Sequence, residues 1–449
     1  MQSLSENRAQ SALIGGVLLF GILVIAASSW QAVIVTHQNE AVEFTHSIEL
    51  RQQLTELRSS LLSMTGRASV RSTPVTLGAR YPPRTVFVNP PPAAGTLRTV
   101  GTRTPAVNIT IENAAVADTS GSSIDDGAGD FWNGTPVAYN TGQITYQPDY
   151  TYYQRAPRIG YEHSLLTERF ADGTELPLTS QTLVRDTRIT LVTINGSLSE
   201  TRTDTATVDL VPISTRPQAV ELTNTTRPIR LVFASRLSTD TWNETLADQL
   251  VANGGHVLNG GVTPVCDGPG SFSVLSLTLE PNQRYQLVAA RVNLGAGATD
   301  TKPAYLTNID GNGTTLRPGT GQSLTVELRD AFNTPQSGVP IAATAADGIR
   351  LTDRQVETGA DGRATIRCVA DNTSVGAREV RFTVGETPPG AGYDGSTPTN
   401  LTVTVTITTD PLAPESTTDH EDDHGRGRSR SARLALFTQI NTVALDQIF

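Results

Sequence analysis

The sequence has few of the residues that usually carry chemistry. Its 449 residues include two cysteines, six histidines and a single lysine, Lys302. Two cysteines are too few for a disulfide-framed scaffold, and the histidines form no HExxH or CxxC-type zinc spacing. No GxSxG elbow and no phosphate loop ending in Gly-Lys-Ser or Gly-Lys-Thr is present. We therefore expect a protein that is not an enzyme, with no catalytic residues, no cofactor and no metal.

Basic residues are also scarce relative to acidic ones. The chain has 34 basic and 44 acidic residues, which gives a net charge of -10 at pH 7. Such a chain repels a phosphate backbone, so nucleic acid is not an expected partner. Although aromatic residues make up only 5%, the 37% hydrophobic content is enough for several folded domains. Acidic, lysine-poor composition is typical of halophilic archaeal proteins, but a GC-rich genome also favours arginine over lysine.

The long apolar run lies near the N-terminus. Residues 12–35 contain no charge, and at about 1.5 Å per residue they span roughly 36 Å as a helix. We predict a transmembrane helix there, with membrane lipid as its partner and residues 1–11 as a cytoplasmic leader. Arg8 precedes the span and acidic residues follow it, which places the C-terminal bulk outside the cell. A cleaved secretory signal is the alternative.

The start of this run carries a resemblance. Residues 8–15 (RAQSALIG) resemble the haloarchaeal type IV pilin-like surface proteins, whose function is uncharacterised. The resemblance implies cleavage between Ala9 and Gln10 and a homo-oligomeric or pilin-like assembly. The sequence departs from the pattern at Ala12, where proline is common, and at Ile14, where bacterial pilins carry glutamate. An uncleaved signal anchor is the other interpretation.

Residues 36–66 are predicted to continue the helix as a stalk. Five apolar residues recur at spacings of 4, 3, 4 and 3: Leu50, Leu54, Leu57, Leu61 and Met64. This pattern is typical both of a coiled-coil seam and of a helix that covers a folded core. Gly66 is a suitable end for the helix.

The rest of the chain is predicted to be mainly β. Between 67 and 302, β-branched runs indicate one or two extracellular domains of antiparallel strands, at 107–112, 187–194, 207–213, 229–234, 273–279 and 285–294. The main helix candidate there is Thr239–Asn253, with Thr239 or Asp240 as its N-cap. A proline-rich stretch, 82–92, suits a surface brace or a docking ligand.

Residues 303–408 alternate more cleanly, which predicts an antiparallel β-sandwich. The residues around Leu324, Val339 and Gly362 are similar to the immunoglobulin-like repeats of bacterial invasin and intimin adhesins. That resemblance implies a spacer or adhesive module, with a surface polysaccharide or a protein as partner. Residues 409–432 form a charged linker, and 433–449 form a short amphipathic tail.

Six of the ten tyrosines lie between Tyr139 and Tyr161. They either cap a β core or form a binding surface. The alternative function, an anchored extracellular ligand-binding protein or enzyme of unknown substrate, would use this region. A deep pocket lined by Asp125, Asp130, Tyr152 and His163 would favour this alternative, and a flat surface would not.

The sequence also predicts sites of covalent modification. Eight Asn-X-Ser/Thr acceptors follow the apolar span, as in an exported glycoprotein: Asn108, Asn133, Asn195, Asn224, Asn243, Asn312, Asn372 and Asn400. Cys266 and Cys368 are a candidate disulfide in an oxidising exterior. The alternative is that Cys368 is buried and unpaired, because its strand phase points inward.

Overall fold

The computed structural model describes residues 3–85, 88–102, 107–117, 127–268, 272–297, 301–390 and 392–409, with side chains from residue 13 onward. Apart from Thr409, the predicted linker and tail lie outside the described residues, as does Asp125. The described residues belong to one compact unit, Met1–Thr409.

One continuous helix opens the chain in three stretches. They are α1 (Ser3–Ser29), a π-helical segment (Trp30–Val35) and α2 (Thr36–Leu62). The π-helical turns coincide with the predicted outer end of the membrane span, and such turns are rare within long helices. Thr36 Oγ1 lies 2.9 Å from the carbonyl oxygen of Ala32 and 2.8 Å from that of Val33, so it is placed to satisfy carbonyl groups at this irregularity.

Two short helices follow, α3 (Gly127–Phe131) and α4 (Thr239–Thr245). The single helix predicted at Thr239–Asn253 is therefore wrong in length: after α4 the chain forms separate 3₁₀ turns, because Leu250 is extended between them. The N-cap is Ser238, whose Oγ accepts a hydrogen bond from the Thr241 amide at 3.2 Å.

The strands of the first part of the body are β1 (Arg71–Thr76), β2 (Ala94–Val100), β3 (Asn108–Glu112), β4 (Ala114–Val116), β5 (Val137–Asn140), β6 (Gln143–Asp149), β7 (Arg158–Glu162), β8 (Leu165–Arg169), β9 (Glu175–Pro177), β10 (Val184–Arg185), β11 (Arg188–Asn195), β12 (Ser199–Arg202), β13 (Thr205–Pro212), β14 (Val220–Asn224), β15 (Arg230–Ser235), β16 (Val257–Asp267), β17 (Ser273–Leu279) and β18 (Tyr285–Leu294). The remaining strands are β19 (Pro303–Asp310), β20 (Thr314–Leu316), β21 (Gly321–Asp330), β22 (Pro340–Ala345), β23 (Ile349–Leu351), β24 (Gln355–Glu357), β25 (Arg363–Ala370), β26 (Gly376–Val384) and β27 (Asn400–Ile407).

These strands form five sheets. The largest has the order β1-β13-β18-β11-β10, with β14 also paired to β18 and β4 to β14. A six-stranded sheet has the order β12-β2-β6-β7-β8-β9, and a five-stranded sheet has the order β16-β17-β15-β3-β5. Nearly all ladders are antiparallel, and the two parallel pairs among the described strands are β11 with β18 and β20 with β27. The mainly β class with a long N-terminal helix is confirmed.

The largest sheet is buried on both faces. Ile189 and Leu191 of β11 lie in a core shared with the five-stranded sheet, whereas Val192 and Ile194 lie in a core shared with α2 and the six-stranded sheet. Successive strand residues point to opposite faces, so these two sets belong to two different cores. This explains why β11 is a nearly continuous apolar run.

Helix α2 is an internal element of the second of these cores. The five residues predicted as an apolar stripe are all buried, against strands of both the largest and the six-stranded sheets. The stripe is therefore the face of a helix packed on a β core, the second of the two alternatives that the sequence allowed.

The last two sheets, β19-β21-β25-β23 and β20-β27-β26-β22-β24, form a sandwich around one apolar core. Cys368 is fully buried in that core, whereas Cys266 is exposed on β16, and both are free thiols. The disulfide considered from the sequence is not formed, because the Cys368 side chain points into the sandwich. The domain limits expected from the sequence stay a prediction.

We predict that Leu57→Ala lowers the free energy of unfolding by about 2–5 kcal/mol, because it removes a side chain from the packed core around α2. Leu57 is 2% exposed, whereas Ile48 on the same helix is 38% exposed. Ile48→Ala is the matched control, with an expected loss below about 1 kcal/mol. Denaturant unfolding of the detergent-solubilised protein measures both. Equal losses would contradict a core role for α2.

Candidate functional site

The helix changes environment at one point along its length. Its apolar stretch from Leu13 to Val33 is exposed throughout most of its length, and it is long and apolar enough to cross a membrane. Full burial begins at Val35 and continues with Asn39 and Glu43. We call the contacts of helix residues 31–46 with residues 76–85, 88–89 and 150–153 the anchor junction. It is where the apolar span meets the β body.

A buried carboxylate is at the centre of the anchor junction. Glu43 is 0% exposed and accepts hydrogen bonds from the backbone amides of Thr151, Tyr152 and Tyr153 at 2.9, 2.8 and 2.6 Å. The hydroxyl of Tyr81 donates a fourth, at 2.5 Å. Hydrogen bonds to an ionised acceptor are short and strong, and successive backbone amides form an anion-binding nest. The four donors thus hold the helix to two loops of the body.

His46 lies one turn further along the helix. Its Nε2 is 3.1 Å from the carbonyl oxygen of Thr76, and its Nδ1 is 2.6 Å from the Tyr150 hydroxyl. A carbonyl only accepts, so Nε2 carries the proton and Nδ1 accepts from Tyr150. Burial lowers the pKa of His46, which agrees with this neutral tautomer. These two hydrogen bonds of His46 add a second contact of fixed geometry between the helix and the body.

Residues of the proline-rich stretch contact the helix closer to its apolar part. Asn89 accepts from Asn39 Nδ2 at 3.3 Å and from Arg84 Nε at 3.1 Å. Gln31 Nε2 donates to the Val88 carbonyl at 2.7 Å. The stretch therefore contacts the helix next to its apolar part, in agreement with the brace interpretation.

The tyrosines divide between the core and the anchor junction. Tyr139, Tyr146 and Tyr161 are buried in the body. Tyr150 bonds His46, Tyr152 lies edge-on to Tyr81 with ring centroids 6.0 Å apart, and Tyr153 lies edge-on to Phe44 at 5.4 Å. The tyrosine-rich segment therefore contributes side chains both to the core of the body and to the contacts that hold the helix.

An open groove of about 640 Å³ lies beside the junction, between α2 and the segments 76–80 and 203–205. Its charged lining residues are Glu49, Arg80 and Asp204, and the last two lie 3.6 Å apart as an ion pair. Because Arg80 and Asp204 neutralise each other, the groove does not present a cluster of like charges that would attract an ionic ligand.

The three described residues named for an anchored enzyme, Asp130, Tyr152 and His163, lie in different parts of the body. Asp130 lies on α3 beside β19, and Tyr152 lies in the anchor junction. His163 is buried beside Phe233 and Trp242, where burial lowers its pKa to about 4. Among the described side chains, no group of three or more His, Cys, Asp or Glu residues is arranged to hold a metal.

The modification sites differ in environment. Asn133, Asn312 and Asn372 are exposed, whereas Asn108, Asn195, Asn224, Asn243 and Asn400 are half-buried. The side-chain amides of Asn224 and Asn400 donate to the backbone carbonyls of Thr225 and Asp394. Ala9 and Gln10 lie within α1, in the part whose side chains are not described.

Sequence reasoning missed the key residues of the junction. Glu43 was recognised only as an acidic residue after the span, and His46 and Tyr81 were not singled out. Glu43 and its amide donors are 108 to 110 positions apart in the chain.

Comparison with known proteins gives distant matches. No protein-family model matches the chain. An uncharacterized protein of Archaeoglobus fulgidus is 23% identical over 388 residues, which cover 84% of this chain and 61% of the relative. The chain thus spans about three fifths of the length of that archaeal relative.

Solved structures with partial likeness include two adhesins and an S-layer protein. The D00-D0 domain of Intimin is 12% identical, covering 42% of this chain and 91% of its own, with a TM-score of 0.21. The Yersinia pseudotuberculosis adhesin InvE is 14% identical, with 42% and 53% covered and a TM-score of 0.19. Domains 4 and 5 of the S-layer protein SbsC are 11% identical, with 30% and 63% covered and a TM-score of 0.18. Such scores do not establish a common overall fold.

We predict that Glu43→Gln lowers the free energy of unfolding by about 2–3 kcal/mol, because the new amide group faces backbone donors that it cannot satisfy. Backbone hydrogen exchange at Thr151–Tyr153 should accelerate in the same variant. Glu49→Gln, an exposed change on the same helix, is the control and should alter neither quantity. Unchanged exchange in Glu43→Gln would contradict the described junction.

Proposed function

We propose that the protein is a membrane-anchored cell-surface protein whose β-rich body has a structural or adhesive role outside the cell. The observation that carries the proposal is the uninterrupted helix from Ser3 to Leu62, which is apolar and largely exposed from Leu13 to Val33 and is built into the body core from Leu50 onward. An exposed apolar surface of this extent requires a non-aqueous environment.

The anchor junction supports a mechanical role. A flexible linker would let the body move independently of its anchor, but here helix turns pass directly into a packed core. The leucine side chains of α2 are buried in the core, which holds the helix but does not fix its rotation. The hydrogen bonds of Glu43 and His46 have fixed geometry and set that rotation. The body is thereby held in one orientation relative to the span, as a structural or adhesive element requires.

The exterior location has separate support. All eight acceptor sequons follow the span, and three of them carry exposed asparagines, Asn133, Asn312 and Asn372. We propose that the N-terminus is cytoplasmic and that these three are the preferred glycan sites. The partner at the outer surface is a polysaccharide or a protein.

We propose no catalytic role for the protein. Of the residues that an anchored enzyme would use, Asp130, Tyr152 and His163 lie in separate places, and Asp125 lies outside the described residues.

Protease treatment of intact cells tests the location. We expect the body to be degraded from outside while a fragment containing the helix stays in the membrane fraction. Mass spectrometry should find glycans at Asn133, Asn312 and Asn372 more often than at Asn224 and Asn400, whose amides are engaged. A cytoplasmic protein that resists protease until the cells are lysed is the control. Protection of the body in intact cells would rule out the proposed exterior location.

A pilin-like assembly is the finer form of the proposal. It rests on segment 8–15 and predicts that the mature chain begins at Gln10. N-terminal mass spectrometry of the membrane-extracted protein reads this directly. A chain that keeps Met1 would exclude the processed, pilin-like form and leave the anchored form in place.

A further inference from the structure

The six-stranded sheet has a polar face opposite the one that covers α2. Leu97, Tyr146, Ile159 and Leu166 point toward the helix, and their strand neighbours point away. On the second face lies a cavity of about 190 Å³. Although the chain has a net charge of -10, this cavity is lined by four arginines: Arg98, Arg158, Arg169 and Arg236.

Strand register brings these groups together. Arg98 lies opposite Thr145, Thr145 opposite Gly160, and Gly160 opposite Thr167, which forms one row across four strands. Arg158 and Arg169 also face each other directly across β7 and β8. Like charges in that position are destabilising unless an anion lies between them.

Gly160 creates the space at the centre of the row. A Cβ at this position would meet only Thr167 Oγ1, at 3.9 Å, so the surroundings do not require glycine for steric reasons. Glycine inside a strand weakens it, and it often marks a place that a ligand approaches closely. The missing side chain leaves the cavity open between Thr145 and Thr167.

The acidic groups at the cavity already have partners. Glu162 is buried and accepts hydrogen bonds from Gln143 Nε2 at 2.6 Å, from the Arg236 amide at 3.1 Å and from the Ser235 hydroxyl. Glu175 lies 2.8 Å from Arg169 as an ion pair. With both carboxylates ionised, the site still has two more positive than negative side chains. Burial raises the pKa of Glu162, and its hydrogen bonds with Ser235 and Arg236 lower it.

Arg236 has an unmet donor. Its guanidinium lies 4.5 Å from the ring centroid of Phe272, and in the described part of the chain its Nε is buried without a hydrogen-bond partner. Burial lowers the pKa of Arg236, Glu162 raises it, and the nearby Arg98 and Arg169 lower it further. A buried donor of this kind is costly unless an acceptor occupies the site.

We propose that this cavity binds one acidic sugar unit, with its carboxylate or other oxyanion held by the four arginines and its hydroxyls by Thr145, Thr167 and Gln147. Guanidinium groups match planar and tetrahedral oxyanions with paired donors. The volume corresponds to about six waters at roughly 30 Å³ each, which exceeds a bare sulfate or phosphate. The site gives the proposed adhesive role a ligand class, an anionic glycan.

Calorimetry on the purified full-length protein in detergent tests the proposal. The probes are glucuronate, glucose, inorganic sulfate and inorganic phosphate. We expect glucuronate to bind more tightly than either inorganic ion, glucose not to bind, and added salt to weaken glucuronate binding. Sulfate or phosphate binding as tight as glucuronate would overturn the sugar assignment. No anion binding would overturn the site.

Variants locate the binding. Gly160→Val fills the cavity with a residue that strands favour, and Arg158→Gln removes one cation. Each should weaken glucuronate binding at least tenfold, whereas Arg350→Gln, an exposed arginine on β23, should not. Unfolding temperatures without ligand check that each variant folds, and if Gly160→Val does not fold, Arg158→Gln decides. Unchanged affinity in a folded Arg158→Gln variant would overturn the site. These measurements do not depend on where the protein resides, so their failure leaves the proposed location standing.

Discussion

The burial of the α2 leucine face between two sheets is the interaction on which the rest of the structure depends. Leu50, Leu54, Leu57 and Leu61 contribute to a core that neither sheet could close alone, because strands of both sheets meet at the helix. Burying side chains of this size contributes roughly 1.5–3 kcal/mol each. The segment that leaves the apolar span is thus also a core element of the body. Anchor and body form one folding unit, and detaching the helix would open the core.

Burial alone does not fix the rotation of a helix, because the hydrophobic effect is non-directional. The anchor junction supplies the direction. The two oxygens of Glu43 are shared among three successive amides and one phenol, and that geometry is satisfied at a single helix rotation and depth. Leaving the amides unpaired would cost about 1–3 kcal/mol for each buried group. The junction therefore fixes the alignment of the apolar span relative to the core, which the hydrophobic contacts alone would not do.

The sequence predicts a helix or strand well when only one of its faces is buried. The α2 stripe and the strands of the last sandwich follow from periods of 3.6 and 2, because their burial is local and regular. The apolar span follows from a run of uncharged residues long enough to cross a bilayer. The β11–β18 pair is different: it is parallel, buried on both faces, and joins residues nearly a hundred positions apart. Glu43, Gly160 and Arg236 were missed for the same reason. Their roles are set by long-range neighbours, and a glutamate, a glycine and an arginine look ordinary within their own segments.

The alternation of the six-stranded sheet connects the two sites. On β7, Ile159 and Tyr161 pack toward α2, whereas Arg158, Gly160 and Glu162 line the opposite cavity. Successive residues of one short strand thus touch the anchor helix and the proposed ligand site. A force applied to a ligand held by Arg158 would pass through the backbone of β7 to Tyr161 and then to the helix, without crossing a flexible loop. Packing against the helix needs an apolar surface and binding an anion needs a charged one, and a strand whose side chains alternate between two faces can present both.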